Sequence, residues 1–182
     1  QNLTFGSSVK DQGRRMLDGL KNCLESDNPT TRINALVTIM VFTNPYTDDR
    51  EKAKHCSDIC SSPEMLAALQ DCLLKDEDTR AHAADVLMYL AMNLKAAPSI
   101  CHQPGMLDNV ALCLKSECED TKRSAKSLVF TLLLEDPNSS TITFNTNTKK
   151  IIRDHTELKM GMFLWRTEAT PIEKEAIKQL WR

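Results

Sequence analysis

Apolar residues recur along this chain at helical spacing, three times over and in the same order. The segment Met-Leu-x-x-(Leu/Val)-x-x-Cys-Leu runs from Met16 to Leu24, from Met65 to Leu73 and from Met106 to Leu114. Its apolar positions fall at i, i+3/i+4 and i+7, which gathers them on one face of a helix. Shortly after each copy stands a threonine with a basic neighbour: Thr31-Arg32, Thr79-Arg80 and Thr121-Lys122. A second helix then carries Ala35, Ile39 and Phe42, matched by Ala83, Leu87 and Leu90 and by Ala125, Val129 and Leu132. The alanines are small where two helices approach, and the larger residues fill the space between layers. Asn28-Pro29 offers an N-cap with proline at the first helical position, and Asp78 and Asp120 are the expected caps of the later copies. Six helices follow from these patterns.

The threonine anchors lie 48 and 42 residues apart, close to the period of HEAT and armadillo repeats. The connections leave room for more helix. Asp48 to Asp58 reads as a short one with Ala53 and Cys56 facing inward, and Ala96-Ala97-Pro98 with Ile100 reads as another. A short helix ahead of the main pair is the armadillo arrangement, whereas HEAT repeats have two. Pro104-Gly105-Met106-Leu107, followed by Val110, Leu114 and Ala125, resembles an armadillo repeat, and Asp49-Arg50-Glu51-Lys52 resembles the charged short helix that opens one. The resemblance covers residues 10–136 and implies a mainly α fold, a right-handed α-solenoid of about three armadillo-like repeats. HEAT remains an alternative on the same pattern.

After Pro137-Asn138-Ser139-Ser140 the periodicity changes. Thr141 to Phe144 and Lys159 to Arg166 alternate, the latter with Met160, Met162 and Leu164 on one face and Phe163 and Trp165 on the other, so both predict strands. Thr170-Pro171-Ile172-Glu173 has capping-box spacing and starts a helix with Ile172, Ala176, Ile177, Leu180 and Trp181 inward. Residues 137–182 thus form a small C-terminal α/β element, either a cap on the solenoid or part of a second domain. Armadillo repeats followed by a ferredoxin-like domain of the heavy-metal-associated type resemble the armadillo-repeat-containing protein one family. That resemblance implies mitochondrial positioning. Metal-binding domains of that type carry Cys-x-x-Cys after their first strand; here the loop reads Thr167-Glu168-Ala169-Thr170, which does not support copper binding.

Composition narrows the function classes. In 182 residues, 41% hydrophobic and 26% charged content is that of a folded domain. A net charge of −2 gives no general attraction to nucleic acid or an acidic membrane. The longest apolar runs, such as Leu36 to Phe42, are too short to span a bilayer. No stretch resembles a signal peptide. Three of the seven cysteines occupy equivalent apolar repeat positions, which predicts buried thiols and a reducing, cytoplasmic setting. Asn-x-Ser/Thr matches at Asn2 and Asn138 carry little weight there. Starting at Gln1 and ending within an expected helix, the chain reads as a piece of a longer protein.

Catalytic patterns are missing from the sequence. With five glycines there is no phosphate-cradling loop, and neither G-x-S-x-G nor His-Glu-x-x-His occurs. His82 beside Asp85 reads as a weak helix-surface pair. His55-Cys56-x-x-x-Cys60 and Cys101-His102 have metal-ligand residue types, yet their spacing is too loose for a zinc site. Cys118 sits among acids, which is expected to raise its pKa and keep it unreactive. No enzyme, metal or cofactor is therefore expected.

A binding surface remains. Armadillo import receptors line their groove with a Trp–Asn ladder; here those positions hold Val37, Asp85 and Ser127, then Val41, Tyr89 and Thr131, so that role is disfavoured. Arg32, Arg80, Lys122 and Arg123 recur near the starts of successive last helices, where positive charge opposes the helix dipole. Either an acidic partner or nearby acids (Asp27, Asp76 to Asp78, Glu117, Glu119, Asp120) explains them. The expected partner-binding residues are Arg32, Arg80, Asp85, Tyr89, Lys122 and Arg123, with Phe163 or Trp165 as an aromatic anchor. The expected function is a non-catalytic scaffold or adaptor for another protein or an extended peptide, an acidic one among the options. The alternatives are a subunit of a permanent assembly and, less favoured, a metal or redox module.

Overall fold

The computed structural model describes residues 5–44, 50–92, 96–135 and 150–151, and among them every element is an α-helix. The first repeat is α1 (Phe5–Leu24) and α2 (Pro29–Thr43). The second is α3 (Arg50–Cys60), α4 (Pro63–Cys72) and α5 (Glu77–Ala91), and the third is α6 (Ala97–His102), α7 (Met106–Leu114) and α8 (Glu119–Glu135). Each repeat lays its last helix beside that of the next, with α2 on α5 and α5 on α8, while α1 packs on α4. The expected strands, the helix after Thr170, and with them Phe163 and Trp165, lie outside the described residues. Beyond α8, Ile151 is buried in the same apolar cluster as the repeats.

The repeated segment explains the stacking. Met65, Leu69 and Cys72 on α4, and Met106, Val110 and Cys113 on α7, are buried, each large side chain contributing about 1.5–3 kcal/mol by leaving water. Their counterparts Met16, Leu20 and Cys23 on α1 are half-buried. The conserved register has a polar use as well. The Cys72 thiol donates to the Leu24 carbonyl and the Cys113 thiol to the Leu73 carbonyl, each at 3.7 Å. Those carbonyls lie at the C-terminal ends of α1 and α4, where helical partners run out. Ala35, Ala83 and Ala125 are buried as expected.

Several local expectations need correction. α1 begins at Phe5, well before the apolar segment. Asp78 and Asp120 are not the caps. Asp76 caps α5, its carboxylate accepting from Thr79 N–H at 3.0 Å, because the helix starts at Glu77 and already contains Asp78. In α8 the cap position is Cys118, whose carbonyl receives Lys122 N–H at 3.0 Å. Asn28 caps α2 as read, accepting from Thr30 and Thr31. The three caps thus stand three residues before Thr31, Thr79 and Thr121. On α3 the inward residues are Cys56, Ile59 and Cys60, whereas Ala53 is exposed.

One glycine is fixed by geometry. Gly105, between α6 and α7, has φ 79°, and a Cβ there would come within 2.9 Å of Gln70 Nε2. That amide donates to the Pro104 carbonyl at 3.0 Å, tying α4 to the turn.

Candidate functional site

Three helix starts lie side by side along the row of α2, α5 and α8. Each contributes roughly half a positive charge from its unpaired N–H groups. Acids are therefore favoured there, and α5 and α8 supply them in their first turns as Glu77, Asp78, Glu119 and Asp120. α2 supplies none.

The expected cations answer to this pattern. Arg80 pairs with Glu77 of its own turn at 2.9 Å and donates to the Lys75 carbonyl at 2.8 Å. Lys122 pairs with Glu119 at 2.6 Å, and Arg123 with Asp120 at 2.7 Å. Arg32, with no acid in its own turn, crosses the repeat boundary to Asp76 at 2.5 Å and also donates to the Ser26 carbonyl at 2.7 Å. Its side chain is 7% exposed, so it belongs to the packed seam. At the next boundary the roles change. Glu77 accepts from Ser116 and Thr121 hydroxyls, each at 2.8 Å, linking α5 to the start of α8.

These contacts set the protonation of the seam. Partial burial acts to raise Asp76, but the Thr79 N–H, the Arg32 guanidinium and the Thr79 hydroxyl outweigh it and hold its carboxyl at about 2. The Ser116 hydrogen bond, then that of Thr121, keeps Glu77 below the usual carboxylate range. Burial pushes Cys72 up to about 11, and Cys60 and Cys113 up to about 12. Cys118 goes the other way, contrary to the sequence expectation. Thr121 N–H and Asp120 N–H stabilise its thiolate, while the Thr121 hydroxyl proton goes to Glu77, and the charge of Asp120 is too weak to reverse them.

The remaining sequence-predicted residues lie along the row. Asp85 and Tyr89 on α5 are half-buried and make no hydrogen bond or ion pair among the described residues. His82 Nδ1 contacts the Asp78 carbonyl at 2.7 Å rather than pairing with Asp85. In equivalent positions on α2, Val37 and Val41 are 42% and 62% exposed. In the sequence both valines stand only where a Trp–Asn ladder is missing. Their signal was available: they lie four apart, on the side of α2 away from Ala35 and Ile39.

Elsewhere, an open groove of about 730 Å³ runs between α1 and the α3–α4 turn, over Leu17 and Met65. Arg14, Lys21 and Lys54 face Asp18, Asp58 and Glu64 around it, so it favours neither sign of charge. Glu64 is held below its usual range first by its own backbone N–H and then by the Ser62 hydroxyl. Among the described residues no group of three or more His, Cys, Asp or Glu side chains is placed to hold a metal ion. No described helix is long and apolar enough to cross a membrane.

Comparison with known proteins adds little to this picture. No family model matches the chain, and no curated protein matches it. Solved structures similar to it include two designed or engineered proteins. One is an engineered protein, 18% identical, covering 95% of this chain and 44% of its own, with a TM-score of 0.35. The other is a designed armadillo repeat protein in complex with the peptide (KR)4, 12% identical over 94% of this chain and 86% of its own, also at 0.35. This chain therefore spans less than half of the first. At such scores neither carries weight for its fold or ligand.

Two outcomes follow. Asp76 contributes stability that is complete above its ordinary value of 3.8 and is lost as pH falls toward about 2. Urea midpoints of wild type and Asp76→Asn are thus well separated at pH 6 and converge by pH 2; a constant gap contradicts the assignment. In alkylation followed by mass spectrometry at pH 7.5, Cys118 reacts at least tenfold faster than Cys72 and Cys113. Equal labelling would show that the cap does not favour the thiolate.

Proposed function

We propose that this protein is a non-catalytic interaction scaffold of armadillo-like repeats, which takes an extended segment of a partner protein along α2, α5 and α8. The carrying observation is the exposure of Val37 and Val41 in register with Asp85 and Tyr89, which have no hydrogen-bond or ion-pair partner among the described residues. Repeats of this kind present such residues at nearly fixed steps of about 10 Å, the spacing of packed helices. Apolar side chains of the partner would rest on the valines and Tyr89, with a donor or cation opposite Asp85. An acidic partner is less favoured than the sequence alone implied, because Arg32, Arg80, Lys122 and Arg123 already hold acids of this chain. Phe163 and Trp165 stay in the proposal as a second anchor. A cytoplasmic setting fits the seven free cysteines, and association with the mitochondrial surface rests on the family resemblance alone.

Photo-cross-linking in cells, with the cross-linker at Thr38 beside the valines, tests the row. Val41→Arg and Tyr89→Ala are expected to reduce the captured partner at least tenfold, while Arg123→Glu leaves it unchanged. Loss with Arg123→Glu alone would restore the acidic-partner reading. Full capture by all three variants would move the site off this row.

A further inference from the structure

The two repeat boundaries are closed by different means. α5 and α8 make the most extensive helix contact of the stack. Their starts are joined by neutral donors, Ser116 and Thr121, which are 7% and 0% exposed. The charge of Glu77 is already met within its own turn by Arg80. Arg80 Nε also lacks a hydrogen-bond partner among the described residues, but its side chain is 24% exposed, and loss of the Ser116 or Thr121 bond leaves its carboxylate in place.

The α2–α5 boundary is closed by a charge. Arg32 is buried, its Nε has no hydrogen-bond partner among the described residues, and its acid belongs to the neighbouring repeat. The Asp76 side chain is 39% exposed and is committed at once to Arg32, to Thr79 N–H and to the Thr79 hydroxyl. A buried guanidinium that loses its carboxylate is costly to leave in place. Because Arg32 springs from the first turn of α2, it regains water most directly when that helix start moves off α5.

We propose that the α2–α5 boundary is the release point of the stack, where α1 and α2 detach as a unit while α5 and α8 stay packed. Arg32 and Asp76 form the catch. Opening uncovers Leu36 and Ile39, which are fully buried in the closed stack. It also carries Val37 and Val41 away from Asp85 and Tyr89. The inference stands on the boundary alone and does not require that the row bind a partner.

Hydrogen exchange read by mass spectrometry on the full chain tests it. In the wild type, amides of α2 exchange at least tenfold faster than those of α5 and α8. Asp76→Asn accelerates α2 by a further tenfold and leaves α8 unchanged, and Glu77→Gln leaves α2 at its wild-type rate. Arg32→Met removes the buried charge and does not accelerate α2. Equal wild-type rates in α2 and α8 would overturn the proposal. So would equal acceleration by Arg32→Met and Asp76→Asn, because simple fraying of an end repeat treats the two alike. Should Asp76→Asn not fold, the wild-type gradient and Arg32→Met still decide.

Discussion

Parallel helices stacked side by side bring their N-termini together, and that constraint governs the rest of this structure. Apolar packing draws α2, α5 and α8 into one row, yet it places three bundles of unpaired N–H groups along one edge. The edge is satisfied from within. Asn28, Asp76 and Cys118 cap the helices at equivalent positions, and acids in the first turns of α5 and α8 offset the dipoles. The basic residues then clasp those acids, which accounts for cations at positions where the dipole alone would disfavour them.

The same edge carries the C-termini of α1 and α4, because Leu24 and Cys72 stand only a few residues before α2 and α5. Cysteine thiols, kept protonated by burial, donate to carbonyls at the ends of α1 and α4 in the preceding repeat. A single nine-residue segment therefore encodes an apolar face and a polar latch together. Repetition of both at one register makes the stack possible, while the rows of side chains left over are free to vary. Val37, Val41, Asp85 and Tyr89 are among those left over.

Much of this was legible in the chain. The three-fold segment and the alanines at 35, 83 and 125 gave the helix pairs, and Asn28-Pro29 gave a helix start. The extra helices were readable from Ala96-Ala97-Pro98 and the charged stretch before Cys56, though Ala53 was turned the wrong way. Caps were misplaced in two repeats because several acids compete within a few residues, and only the backbone decides which stands outside the helix. Pairing across repeats was not legible at all. Arg32 and Asp76 are far apart in sequence: Pro29 to Arg32 visibly lacks the acids found at Glu77-Asp78 and Glu119-Asp120, but no local pattern says where Arg32 turns instead. Cys118 was misjudged for a related reason: neighbouring charges are visible in a sequence, but oriented N–H groups are not.

The central claim is that the buried charge of Arg32 makes the closed boundary between the first and second repeats depend on Asp76. A double-mutant cycle of Arg32→Met and Asp76→Asn, measured by urea denaturation at pH 7, tests it most directly. The account predicts a coupling above about 1 kcal/mol, with the double variant more stable than Asp76→Asn. Single effects that add to within about 0.3 kcal/mol would show that the two residues do not hold each other, and the account would fail.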